Sequence, residues 1–132
     1  MKVLWEQFVY SNLKKHKLNN YTIAAQNSKY FWKPNNGNRS KMRPDIVLNK
    51  DTDNCNLFDT KWKNRSGLKP SLGDLRQMFV YMKYYGAQKV ALIYPGEKFS
   101  IIKGKYYEEQ SGDLGNEECS VITIDVREDV SI

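Results

Sequence analysis

The chain has 132 residues, with 21 Lys/Arg against 15 Asp/Glu for a net charge of +6, and 40% hydrophobic residues. That length supports one domain with a single core, residues 1–132, and leaves no room for a motor or target-reading module beside it. The sequence holds no apolar run long enough to span a bilayer and no secretory signal, so a cytoplasmic protein is expected. Cys55 and Cys119 lie far apart without CxxC pairing, which argues against a zinc site or a disulfide framework and for inert strand residues. The charge is uneven: residues 1–65 carry 13 Lys/Arg against 5 Asp/Glu, net +8, and residues 66–132 carry 8 against 10, net −2. A basic half of this kind suits a polyanion, although solubilising lysines alone produce the same balance.

Residues 2–17 predict an amphipathic helix. Leu4, Trp5, Phe8, Val9 and Leu13 recur at three- and four-residue spacing, and Lys14, Lys15 and Lys17 crowd the last turn, where cations complement the helix dipole. Glu6 interrupts the apolar stretch: it is either a glutamate on the solvent side or an acid aimed at a cation. His16, the lone histidine, has no nucleophile to serve and takes no role. Asn19-Asn20 break the helix, and residues 21–26 read as a strand. Tyr30-Phe31-Trp32 then leads into a basic loop, residues 33–41. Aromatics beside cations either close a small core or stack on an unpaired or flipped base, and the loop suits phosphate contact better than base reading.

The centre of the chain is RPDIVL, residues 43–48, a polar turn over residues 51–56, and CNLFDTKWK, residues 55–63. This reads as a β-hairpin that brings Asp45 near Asp59, with Asp59 and Lys61 two residues apart and so on one face. An edge hairpin with a solvated ion pair is the plain alternative. A connector follows over residues 64–70; Ser71 then caps a helix from Leu72 to Tyr85 that stops at Gly86. Leu75, Met78, Phe79 and Met82 form its core stripe, and Asp74, Gln77 and Tyr81 share an adjoining face. Residues 89–95 are a short apolar strand. Residues 99–102 and 121–126 are further strands, with an acidic loop between them and no chemistry of their own. The order helix, three strands, helix, strand predicts an α/β domain.

Pro44-Asp45 followed by Asp59-Thr60-Lys61 resembles the PD-(D/E)xK motif of metal-dependent nucleases. RPDIVL, FDTKWK, DLRQMFVYMKYYG and VALIYP, in this order, resemble the nuclease domain of the McrC family, the cleavage subunit of the McrBC restriction system that attacks DNA containing modified cytosine. The resemblance runs from LWEQFV to about Pro95 and fades beyond it. It implies a restriction-endonuclease-like PD-(D/E)xK core, a mixed central β-sheet flanked by helices, and an Mg2+-dependent endonuclease hydrolysing phosphodiester bonds of double-stranded DNA. Full McrC subunits resemble this domain only in their C-terminal part, and the region that contacts an McrB-like GTPase partner has no counterpart here. Target choice would belong to that partner.

Carried onto this sequence, the resemblance makes Asp45 and Asp59 the main metal ligands, the Thr60 carbonyl a further ligand, and Lys61 the stabiliser of transition-state charge. Glu6, in LWE, matches an auxiliary acid of the first helix, and Gln26 matches a glutamine at this point of McrC-like chains. Gln77 and Tyr81 reproduce the QxxxY signature of RecB-like nucleases, which borders the active site. If Glu6, Asp45 and Asp59 converge to about 4 Å, each close pair repels by roughly 4 kcal/mol at an effective dielectric of 20. Such a cluster calls for a cation or raised pKa values, and oxygen-only ligands favour Mg2+, with Mn2+ as substitute. A RecB-like repair or junction nuclease and a catalytically silent DNA-binding module are the alternatives.

Overall fold

A computed structural model describes residues 2–15, 22–25, 27–62 and 70–125. The expected helix end at His16 and Lys17, Tyr21, Gln26, residues 63–69 and Val126 lie outside the described residues. In chain order the elements are α1 (Lys2–Lys15), β1 (Ile23–Ala25), β2 (Lys29–Trp32), β3 (Ser40–Met42), β4 (Ile46–Leu48), β5 (Asn56–Thr60), α2 (Leu72–Tyr85), β6 (Lys89–Gly96), β7 (Ser100–Tyr107) and β8 (Leu114–Asp125). Six strands form one sheet in the order β1-β4-β5-β6-β8-β7, and β2 and β3 form a separate two-stranded sheet. The large sheet is mixed: β1, β4 and β5 pair antiparallel, β5-β6 and β6-β8 parallel, and β7 closes antiparallel on β8.

The period-2 alternation of side chains explains why both faces need cover. On β4, Val47 faces one way and Ile46 and Leu48 the other; on β6, Leu92 and Tyr94 oppose Ile93. One face packs against Met78, Met82 and Tyr85 of α2, and the other against Trp5 and Val9 of α1. A helix therefore lies on each side of the sheet. This accounts for the unbroken apolar run in β6, a central parallel strand buried on both faces. Trp5 is a fixed point of α1: its ring is buried, stacks on Phe8 at 5.6 Å, and its Nε1 donates to the Ile93 carbonyl at 3.3 Å.

Helix α2 carries the expected ends. Ser71 accepts the backbone N–H of Asp74 at 3.0 Å, and Gly86 ends the helix in the left-handed region at φ 64°, with its N–H on the Met82 carbonyl. Between β4 and β5 the chain turns through Asn49 and Asp51, both at positive φ, a conformation their short polar side chains tolerate.

Four expectations are corrected. Leu4 points to solvent, 62% exposed, because α1 turns Trp5 and Val9 to the sheet, with Phe8, Tyr10 and Leu13 packed beside them. Residues 29–42 are a hairpin rather than an approach to a loop, and β3 gave no apolar signal because most of it faces water. Strands β7 and β8 are longer than expected, so that Glu117 and Glu118 belong to β8; pairing along the sheet overrides the weak local propensity of these segments. The β4-β5 hairpin is interior, with β1 on one side and β6 on the other, and not an edge.

Candidate functional site

Antiparallel pairing of Ile46 with Phe58 sets Asp45, just before β4, opposite Asp59 near the end of β5. The backbone N–H of Asp45 donates to Asp59 Oδ1 at 3.2 Å. Thr60 faces Asp45 from the other side: its N–H and its hydroxyl both donate to Asp45 Oδ2, each at 2.7 Å. Because β5 alternates, Asp59 and Lys61 project toward α2, and Lys61 Nζ stands 3.0 Å from Asp59 Oδ2. Lys61 continues the parallel pairing by donating its N–H to the Ile93 carbonyl at 2.9 Å, which holds the strand end in place.

Helix α2 completes the site. Lys61 Nζ donates to Gln77 Oε1 at 2.7 Å, and Gln77 Nε2 donates to the Tyr81 hydroxyl at 3.1 Å. Asp74, one turn earlier, lies 3.8 Å from Lys61 Nζ and accepts the Tyr94 hydroxyl at 3.0 Å. Asp59, Lys61 and Asp74 are all buried, which overturns the solvated ion pair. A pocket of about 260 Å3 opens among Glu6, Arg43, Asp45, Asp59, Lys61, Gln77 and Tyr81.

The electrostatics follow from burial of like charges. Desolvation raises the Asp59 carboxyl, the charge on Asp45 adds to it, and Lys61 only partly opposes them, leaving Asp59 at about 6. Burial also acts on Asp45, but hydrogen bonds from Glu6 and Thr60 outweigh it and hold Asp45 below the ordinary value. Burial, reinforced by the charges on Asp59 and Asp45, raises the Tyr81 phenol and keeps it protonated.

All six expected catalytic side chains, Glu6, Asp45, Asp59, Lys61, Gln77 and Tyr81, thus line one pocket. The three acids do not close into a cage: among the described residues, no group of three acidic, histidine or cysteine side chains stands in metal-holding geometry. Two adjacent buried carboxylates, with Glu6 on the third wall, still fit a hard cation that binds through one or two carboxylates and retains several waters. Arg43 and Tyr94 carried no signal in the sequence reading, and Asp74 was placed on the right helix face without a role. Tyr94 reaches Asp74 because the crossover from α2 to β6 brings them together. A larger cavity, about 640 Å3, shares no lining residue with this pocket and is lined by Phe79, Tyr106 and Glu117 among others. Among the described residues no helix is long and apolar enough to cross a membrane.

The shared fold extends to a known assembly. A chain of the solved structure described as a refined half-complex from the tetradecameric assembly of Thermococcus gammatolerans McrB AAA+ hexamers with bound McrC is similar at a TM-score of 0.63 and 18% identity. The likeness covers 95% of this chain and 28% of that one, so the chain spans just over a quarter of its structural neighbour's length. No curated protein matches significantly. The family model for McrBC 5-methylcytosine restriction system components matches residues 1–95, the span that carries the motifs and every residue lining the pocket. The chain belongs to the McrBC 5-methylcytosine restriction system component family.

Proposed function

We propose that this chain is the nuclease domain of a McrBC-like, modification-dependent restriction system, built on a PD-(D/E)xK core and cutting phosphodiester bonds of double-stranded DNA with Mg2+. The observation that carries the reading is the placing of Asp45, Asp59 and Lys61 around one pocket, with Lys61 bonded to both Asp59 and Gln77. Asp45 and Asp59 would hold the cation, and the Thr60 carbonyl and Glu6 are the further oxygen donors. When bound, Mg2+ or Mn2+ supplies Lewis acidity and a water of lowered pKa.

The chain's own residues do the rest. Lys61 is oriented before substrate arrives, because Asp59 and Gln77 fix its ammonium at 3.0 and 2.7 Å. A preorganised cation of this kind offsets negative charge growing on a phosphate in the transition state without further reorganisation. Tyr81 holds Gln77, and Gln77 holds Lys61. Arg43, on the pocket wall, supplies a positive charge for the incoming phosphate. A GTPase resembling McrB would select DNA with modified cytosine and deliver it.

Titration calorimetry of Mg2+ and Mn2+ into the wild type and Asp59→Ala, followed by nicking of modified duplex with an McrB-like partner, tests the proposal. Binding and nicking by the wild type, both lost in a folded Asp59→Ala protein, are expected. A folded Asp59→Ala or Lys61→Ala protein that nicks at the wild-type rate overturns it.

A further inference from the structure

The β2-β3 hairpin displays aromatic rings that neither the core nor the cleavage pocket uses. Toward α2, Phe31 meets Tyr84 at 5.5 Å, Lys29 Nζ donates to the Tyr84 carbonyl at 2.8 Å, and Tyr85 donates its hydroxyl to the Asn27 carbonyl at 2.6 Å. These contacts pin the hairpin to the helix that carries Gln77 and Tyr81. Tyr30 and Trp32 are 52% and 61% exposed, and a register shift separates their pairings, Tyr30 with Lys41 and Trp32 with Ser40. The Arg39 guanidinium lies 3.8 Å from the Tyr30 ring centroid and Lys41 Nζ lies 5.5 Å from it.

Charge indicates the occupant. Residues 27–44 contain Lys29, Lys33, Arg39, Lys41 and Arg43 and no acid. A polyanion with flat faces satisfies both halves of this surface, cations for the backbone and rings for the bases. Bases inside a duplex are already stacked on each other, so exposed rings find base faces only where a nucleotide is unpaired, flipped or at an end. The position is suitable too. Ser40, paired with Trp32, is five residues from Asp45, so the chain holds them at most about 18 Å apart, roughly five base-pair steps. From β3 the chain passes directly into Arg43, on the wall of the pocket.

We propose that the exposed rings of the β2-β3 hairpin, Tyr30 and Trp32, with the cations Arg39 and Lys41 beside them, form a stacking site for unpaired nucleotides beside the cleavage pocket. This rests on the reading of the chain as a DNA-acting protein, and it adds a site for distorted or opened DNA that the acid cluster does not provide. Aromatic stacking supplies most of the grip and the cations track the backbone.

The test is tryptophan emission during titration with a short oligothymidine and with a blunt duplex of equal length, in EDTA so that no cleavage intervenes. Oligothymidine is expected to quench the wild type. Trp32→Ala, at an exposed position that folding does not need, is expected to lose the quench and bind about 5- to 150-fold more weakly. Trp32→Phe is expected to keep the affinity while losing the quench. Arg39→Ala and Lys41→Ala are each expected to reduce the salt slope by about 0.7. Unchanged oligothymidine affinity in Trp32→Ala overturns the proposal, and so does an equal loss on the blunt duplex or the absence of oligothymidine binding by the wild type. Cleavage is not read, so a protein that binds in this way but never cuts refutes the nuclease assignment and leaves the platform standing.

Discussion

Lys61 Nζ and Asp59 Oδ2 stand 3.0 Å apart on one face of the β5 end, both side chains nearly sealed from solvent. Removing one member of a buried ion pair leaves the other uncompensated, at a cost of roughly 3–5 kcal/mol. Lys61→Ala is therefore expected to lower the stability of the metal-free protein by about 3 kcal/mol in urea unfolding. Asp59→Asn with Lys61→Met, which removes both charges, is expected to recover much of that loss while remaining inactive. Equal stability of Lys61→Ala and wild type would show that the pair is not closed in solution.

The raised Asp59 carboxyl sets a pH dependence. Its folded value, about 6, lies above its unfolded value, so its contribution favours folding at low pH and is lost as pH rises from roughly 4 through 6. Asp45 is lowered and acts in the opposite sense: its contribution is present above the ordinary carboxylate range and lost as pH falls through its folded value. The metal-free protein is thus expected to lose stability between pH 4 and pH 6 on account of Asp59. Melting in EDTA across this window checks it, and in Asp59→Asn that decline should vanish.

Gln77 links Lys61 to Tyr81, and the two ends of the link are separable. Tyr81→Phe removes only the hydroxyl that accepts from Gln77 Nε2, at about 1 kcal/mol of stability. Gln77→Ala removes the acceptor of the Lys61 ammonium as well. Single-turnover nicking is expected to fall about 10-fold in Tyr81→Phe and about 100-fold in Gln77→Ala. A larger loss in Tyr81→Phe than in Gln77→Ala would reverse the order of the chain.

Gly86 ends α2 in a left-handed conformation with open space around the missing Cβ. Gly86→Ala meets no clash and should cost only the conformational penalty, about 1 kcal/mol. Ser71→Ala, at the other end, should cost about the same through the lost cap. Neither residue lines the pocket, so each variant is expected to melt earlier and to nick at the wild-type rate while folded. A rate loss in either would show that the site depends on the ends of α2.

Local signals were legible where a residue's neighbours in sequence are also its neighbours in space. Ser71 and Gly86 bounded α2 because capping is decided within four residues, and Gln77 and Tyr81 fell on one face because helix geometry sets it. The β4-β5 hairpin brought Asp45 to Asp59 for the same reason. Trp32 shows where this stops: apolar character alone does not say whether a ring is covered, and its exposure followed from a separate two-stranded sheet lying outside the main one.

By itself the sequence determined the ends of α2, the hairpin, the order of the motifs and the family, all carried by short spacing and residue chemistry. Only the tertiary structure decided that β4 and β5 are interior strands, that Asp59 and Lys61 are buried, and that Asp74 bonds Tyr94 from β6. Those outcomes depend on the insertion of β6 between β5 and β8 and on helices covering both faces. Strand order is a global packing choice, and the desolvation that lifts Asp59 exists only once that choice is made.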